Sequence, residues 1–271
     1  MPKNSIIVYS IKNVLIFNFL YLQSDVKMDH KFEIVLYQKI PKNCVMITGF
    51  QGVGLVGTLA AQYMADKTKA KLIGHVNSTA LPPMAIIVDG EIKHPIRIYL
   101  FKSKATNFLI FESEIPISNQ LVHPLAASLI EFAYKNDIKE IVSLEGMATQ
   151  DLSREPSIYG VTNQIKIESK ISKYMNILKN GIIVGLSAAL LIEAKVRDIN
   201  ALCFISEAHV NFPDGIAASN LIDKLNEVYH LKIDTSELRK ESHKFEQQMK
   251  SIISKVKELK EENVPSKHYI G

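Results

Sequence analysis

The sequence predicts a three-layer α/β/α sandwich carrying a C-terminal amphipathic helix, and three observations carry that prediction. Short runs rich in Val, Ile and Phe alternate with stretches of helical periodicity near both ends of the chain, the pattern of a largely parallel sheet covered on both faces. The apolar run Val45-Met46-Ile47-Thr48 passes through Gly49-Phe50-Gln51-Gly52-Val53-Gly54-Leu55-Val56-Gly57 into a helix, as a strand–turn–helix unit does. With 271 residues, 47% of them hydrophobic, the chain can bury one sizeable core plus an appendage.

The N-terminal segment stays outside this fold. Asn13 to Leu22 is an apolar run behind Lys3 and Lys12, the outline of a signal-peptide core, but Asn18 interrupts it and no small-residue cleavage pattern follows. About ten residues also cannot span a bilayer. Met28 opens a polar stretch before the first well-formed strand, so residues 1–27 are expected to be an extension and 28–232 the sandwich domain.

Within the sandwich, β-branched and aromatic runs predict strands at Phe32–Tyr37, Val45–Thr48, Lys71–Val76, Ala85–Val88, Ile96–Phe101, Asn107–Phe111, Ile141–Leu144, Ile182–Gly185 and Ala201–Ile205. Helical spacing and end signals predict helices over Leu55–Thr68, Asn119–Lys135, Glu168–Leu178, Ser187–Val196 and Asp214–Tyr229. The helix-free stretch Met84–Phe111 should add antiparallel strands or a hairpin. Gln150–Thr162, with Arg154, Pro156, Ser157 and Gly160, reads as an exposed loop.

Residues 233–262 have a different character. Asp234-Thr235-Ser236-Glu237 offers an N-terminal cap, and Leu238, Ser242, Phe245, Met249, Ile252, Val256 and Leu259 then recur at alternating three and four residues, building one apolar seam. Lysines and glutamates occupy the other faces, which predicts a single amphipathic helix. Its seam has two possible partners, a second copy or the parent domain. Pro265 ends the helix, leaving 263–271 as a flexible tail in which Tyr269, Ile270 and the Gly271 carboxylate offer a partner-binding element, with a frayed end as the alternative.

The glycine turn resembles a dinucleotide fingerprint and then departs from it. A dinucleotide site wants an acidic side chain about twenty residues on to accept the ribose hydroxyls, and no Asp or Glu lies between Asp66 and Asp89. Gly52, Gly54 and Gly57 are therefore expected to serve backbone geometry. Gly185-Leu186-Ser187-Ala188-Ala189, with Asp198 and His209 downstream, has the chain order of a hydrolase triad but Ala189 in place of the final glycine. Glu145 and Glu207 fall at the carboxyl ends of predicted strands, where ligands bind in open α/β sheets, though capping or solvated loop carboxylates are commoner there than general acids. No Gly-Lys-Ser or Gly-Lys-Thr phosphate loop and no paired-histidine metal helix occurs, so neither a cofactor nor a metal is expected.

The formal net charge of +4, with both signs interspersed, argues against nucleic acid as a partner. Cys44 and Cys203, each inside an apolar run, suggest buried thiols in a reducing compartment, and with no spanning segment the protein is expected in the cytoplasm.

Taken together, the Gly49–Gly57 turn, Leu81-Pro82-Pro83, Ser143-Leu144-Glu145-Gly146, the Gly181–Glu193 segment, Phe212-Pro213-Asp214-Gly215-Ile216-Ala217-Ala218 and Ile233-Asp234-Thr235-Ser236-Glu237-Leu238 resemble an archaeal member of the proteasome assembly chaperone family. The resemblance covers roughly Phe32 to Leu259. It implies a sandwich similar to nucleoside phosphorylases, no catalysis, self-association into a homo-oligomer, and binding to proteasome core-particle α subunits. It also implies an insertion tail of a hydrophobic residue, tyrosine and a final residue; here Tyr269 is third from the end, displaced by one. Relatives labelled as ATP-grasp carboligases make a nucleotide-binding enzyme the alternative, against which stands the absence of Lys or Arg from the turn itself.

Overall fold

In a computed structural model of the chain, residues 31–104, 106–149, 156–210, 212–245 and 247 are described. Eleven strands among them are β1 (Glu33–Leu36), β2 (Val45–Gly49), β3 (Lys71–Asn77), β4 (Ile86–Val88), β5 (Glu91–Lys93), β6 (Ile96–Ser103), β7 (Thr106–Ser113), β8 (Glu140–Ala148), β9 (Ile158–Thr162), β10 (Asn176–Ile177) and β11 (Ala201–Ala208). The helices are α1 (Val56–Lys67), α2 (Asn119–Lys135), α3 (Ile165–Ile171), α4 (Leu186–Val196), α5 (Gly215–Tyr229) and, at the end of the described chain, α6 (236–245).

Nine strands form one mixed sheet in the order β1-β3-β6-β7-β2-β8-β11-β9-β10. Its centre, β7-β2-β8-β11, is parallel, and antiparallel pairings flank it at β7/β6 and β11/β9. A central parallel strand is covered on both faces, which is why β2 is buried throughout and shows no polar alternation. Met46 points into the layer under α2 and α4, beside Leu109, Ile141 and Ala201. Val45 and Ile47 point into the opposite layer under α1 and α5, beside Phe108, Ile110, Val142 and Phe204.

The helices bury the stripes their spacing predicts. α2 sets Leu121, Val122, Leu125, Leu129 and Ile130 against the sheet, and α5 does so with Ala217, Ala218, Leu221, Ile222 and Leu225. Asp214 caps α5, its side chain accepting the Ala217 N–H at 2.9 Å.

Three expectations are corrected. Ile182–Gly185 is not a strand: Ile182 is 91% and Val184 77% exposed, and the outer edge of β11 where it would pair is taken by β9. β9 lies inside Gln150–Thr162, expected as a loop; Ile158 and Val161 read as too short a run to signal a strand until β11 supplies its ladder. The helix expected over Glu168–Leu178 instead spans Ile165–Ile171, because the chain must turn back so that Asn176–Ile177 pairs with Tyr159–Gly160. Among the described residues no helix is long and apolar enough to cross a membrane.

Candidate functional site

At the carboxyl ends of β2, β8 and β11 the glycine turn and the approach to α4 enclose a cleft of about 370 Å³. Such a position, outside the strand ends of an open α/β sheet, is where ligands bind. Phe50, Val53, Ile117, Val122, Leu178 and Ile183 make its wall predominantly apolar, and among the described residues Glu145 is the one ionisable side chain lining it. Glu145 projects from β8 and accepts a hydrogen bond from Ser187 Oγ, in the first turn of α4, at 2.6 Å. Burial pushes the Glu145 carboxyl up to about 7, against the smaller opposing effect of the Ser187 hydroxyl. Burial, with Glu145 nearby, also holds the Cys203 thiol well above its ordinary value, and Cys44 is raised to about 11 by burial, so both thiols are poor nucleophiles.

Gly52, Gly54 and Gly57 sit in different environments. Gly54 has φ +61, and a Cβ there would stand 2.9 Å from the His209 carbonyl oxygen and 3.2 Å from Asp214 Cβ; its own carbonyl accepts the Asp214 N–H at 2.8 Å. A Cβ at Gly57 would run into the Leu144 carbonyl oxygen, so the start of α1 packs directly on β8. Gly52 has an extended backbone that any residue adopts, but a Cβ there would lie 2.7 Å from Glu145 Oε2. Its lack of a side chain leaves that oxygen uncovered. Gly54→Val is expected to cost about 2–4 kcal/mol, from left-handed strain plus overpacking, measured by urea denaturation. Unchanged stability would show that the turn relaxes freely.

The hydrolase order is not assembled. Ser187 meets Glu145 rather than a histidine, His209 Nδ1 lies 2.5 Å from Asp214 Oδ2, and Asp198 accepts from Gln164 Nε2 at 2.9 Å. Glu207, at 5% exposure, accepts the Ser157 N–H at 2.9 Å and so ties the loop before β9 to β11. The Ser187–Glu145 contact was absent from the sequence reading because 42 residues separate the partners. Among the described residues no group of three or more His, Cys, Asp and Glu is arranged to hold a metal.

The second candidate region is the start of the amphipathic helix. Leu238 packs on the layer beneath α1 and α5, Arg239 donates to Asn220 Oδ1 at 2.7 Å and Asp223 Oδ2 at 2.5 Å, and Lys67 pairs with Glu237. Thr235 Oγ1 donates to Asp223 Oδ1 at 2.9 Å, and Tyr63 OH donates to the Asp234 carbonyl at 2.8 Å. Phe245, 39% exposed, meets the Phe212 ring edge-on at 6.2 Å, and Phe212 stacks on His209 at 4.4 Å. Of the two partners open to the seam, its first turns therefore take the parent domain. Met249, Ile252, Val256 and Leu259 lie outside the described residues, as do the extension 1–27 and the tail residues Tyr269, Ile270 and Gly271.

Comparison with known proteins places this geometry among relatives. Pyrococcus furiosus PbaA, described as an archaeal homolog of proteasome-assembly chaperone, superposes with a TM-score of 0.74 at 28% identity over 84% of this chain and 95% of that one. PbaB of the same organism, described as an archaeal proteasome activator, has the same fold with a TM-score of 0.74 at 19% identity, covering 82% of this chain and 99% of its own. An uncharacterized protein of Methanocaldococcus jannaschii is 26% identical over 211 residues, 78% of this chain and 86% of that protein. The sequence model of the PAC2 family matches residues 46–253, and the chain belongs to that family.

Proposed function

We propose that the protein is a non-enzymatic proteasome assembly chaperone that binds core-particle α subunits or their rings, acting in the cytoplasm as a homo-oligomer. The observation that carries this reading is the likeness to PbaA, which runs through 84% of this chain and 95% of that one at 28% identity. The chemistry of the strand-end cleft supports it. A nucleotide enzyme of ATP-grasp carboligase type needs cations for the phosphates and carboxylates for magnesium, and among the described residues no Lys or Arg lines the cleft beside the glycine turn.

In this reading the sandwich surface makes the main contact and the tail adds an anchor. Tyr269 supplies an aromatic body with a hydroxyl, Ile270 apolar burial, and the Gly271 carboxylate a charge-assisted contact with a lysine between neighbouring α subunits. The remaining seam residues Met249, Ile252, Val256 and Leu259 would join copies of the chain. Surface plasmon resonance on immobilised α rings tests both parts. The full-length protein should bind, and deletion of Tyr269–Gly271 should weaken binding at least tenfold, about 1.4 kcal/mol, without changing thermal stability. Equal affinities would assign the contact to the sandwich alone, and no binding of the full-length protein to rings or free α subunits would overturn the reading.

A further inference from the structure

The Glu145 cleft holds a chemical feature that proteasome binding leaves unused. One carboxylate oxygen is engaged by Ser187 at 2.6 Å; the other, Oε2, faces the space above Gly52. Among the described residues no other ionisable group lines the cleft to neutralise it. A charge placed in an apolar cleft without a counter-ion is costly, and the site responds by holding its proton to about neutral pH. A ligand that brought its own positive charge would remove that cost. The remaining wall, Phe50, Ile117, Val122 and Ile183, is suited to hydrocarbon, and the volume of about 370 Å³ lies within the range of small-molecule sites. Among the described residues no Lys or Arg lines the cleft to pair with a phosphate or other multiply charged anion.

We propose that this cleft binds a primary ammonium carried on an apolar stem, the ammonium donating to Glu145 Oε2 above Gly52 and the stem lying against Phe50, Ile117, Val122 and Ile183. The inference is independent of the chaperone reading and stands or falls without it. Two sources present this chemistry, a free alkylamine and the side chain of a lysine on a partner protein. Ser187 holds the carboxyl in place and Gly52 keeps the approach open, which gives each of these residues a role in recognition.

Isothermal titration of the full-length chain with n-hexylamine and with n-hexanol tests it. At pH 8 the amine should bind at least tenfold more tightly than the alcohol, which has the same stem and no charge. That preference should shrink as the pH falls from 8 to 5 and Glu145 takes up its proton. Glu145→Gln, which still accepts from Ser187, should abolish the preference while leaving the circular dichroism spectrum unchanged. Gly52→Ala, tolerated by an extended backbone, should weaken amine binding by placing a methyl group against Oε2. Titration with Nα-acetyl-lysine methylamide separates the sources: matching affinity would assign the site to a protein side chain, and weaker binding to a free amine. Equal affinity for amine and alcohol, a preference that survives Glu145→Gln, or no binding of either probe would overturn the proposal and leave Glu145 as a tether for the start of α4.

Discussion

Replacing Arg97 by methionine is expected to destabilise the protein by about 3–5 kcal/mol near pH 8, the range for breaking a buried ion pair by removing one partner. Arg97 on β6 lies directly opposite Glu112 on β7, at 4% and 0% exposure respectively. Its Nη2 donates to the two Glu112 oxygens at 2.9 and 3.2 Å and also pairs with Glu114. Burial pushes the Glu112 carboxyl up to about 7 even though Arg97 opposes the rise. Without the guanidinium it must climb further, so in the variant the folded state increasingly has to take up a proton that the unfolded chain has released. A carboxyl raised on folding contributes most stability below its ordinary value and loses it as pH rises through the folded value. The variant should therefore be worst at pH 8 and least affected near pH 5. Urea denaturation at the two pH values reads this directly. Arg97→Met combined with Glu112→Leu should recover most of the loss, because the unpaired charge is then gone. An equal loss at both pH values would show that the arginine acts by packing rather than by pairing.

Glu145→Gln is expected to stabilise the unliganded protein at pH 8 and to leave it nearly unchanged at pH 5. Glu145 ionises near 4.5 in the unfolded chain and near 7 in the cleft. At about 1.4 kcal/mol per pH unit the difference amounts to about 3 kcal/mol, reached only above the folded value and absent below the unfolded one. Because the carboxyl is raised, its contribution to stability is present in acid and lost between pH 4.5 and 7. Glutamine keeps an acceptor for Ser187 and carries no charge, so the difference between the two proteins isolates this group from Glu112, which titrates in the same window. Thermal denaturation across pH 5 to 8 should show the wild-type and variant curves diverging as the pH rises. Parallel curves would mean that water reaches Glu145 well enough to solvate its charge.

Much of the fold was legible because burial leaves a periodic trace. Val45–Thr48 and Ile141–Leu144 are mainly apolar runs, with Thr48 and Ser143 bonded to each other, since parallel central strands face helices on both sides, and Leu121 to Ile130 repeats at helical spacing because one face of α2 meets the sheet. The misread elements are those whose conformation depends on a partner far away in the chain. Ile182 and Val184 carry strand propensity, yet with β9 on the edge of β11 no ladder remains for them. β9 and β10 are short and become strands only where β11 and one another supply hydrogen bonds.

The candidate site divides along the same line. From Gly49 to Gly57 a tight turn was readable, since the spacing of the glycines constrains the local backbone, whereas Glu145, expected just past a strand ending at Leu144, lies inside β8, which runs on to Ala148. Residue identity also determined that the turn lacks cations and that the seam from Leu238 onward is apolar. Tertiary structure decided that Gly54 takes the positive φ while Gly52 clears space for a carboxylate, that Ser187 meets Glu145 instead of His209, and that the seam's first turns rest on their own domain. The physical reason is that propensity and periodicity act within a few residues of the chain. Desolvation, hydrogen-bond pairing and close approach act between whichever atoms the sheet order brings together, and here those lie 42 residues apart at Glu145 and Ser187.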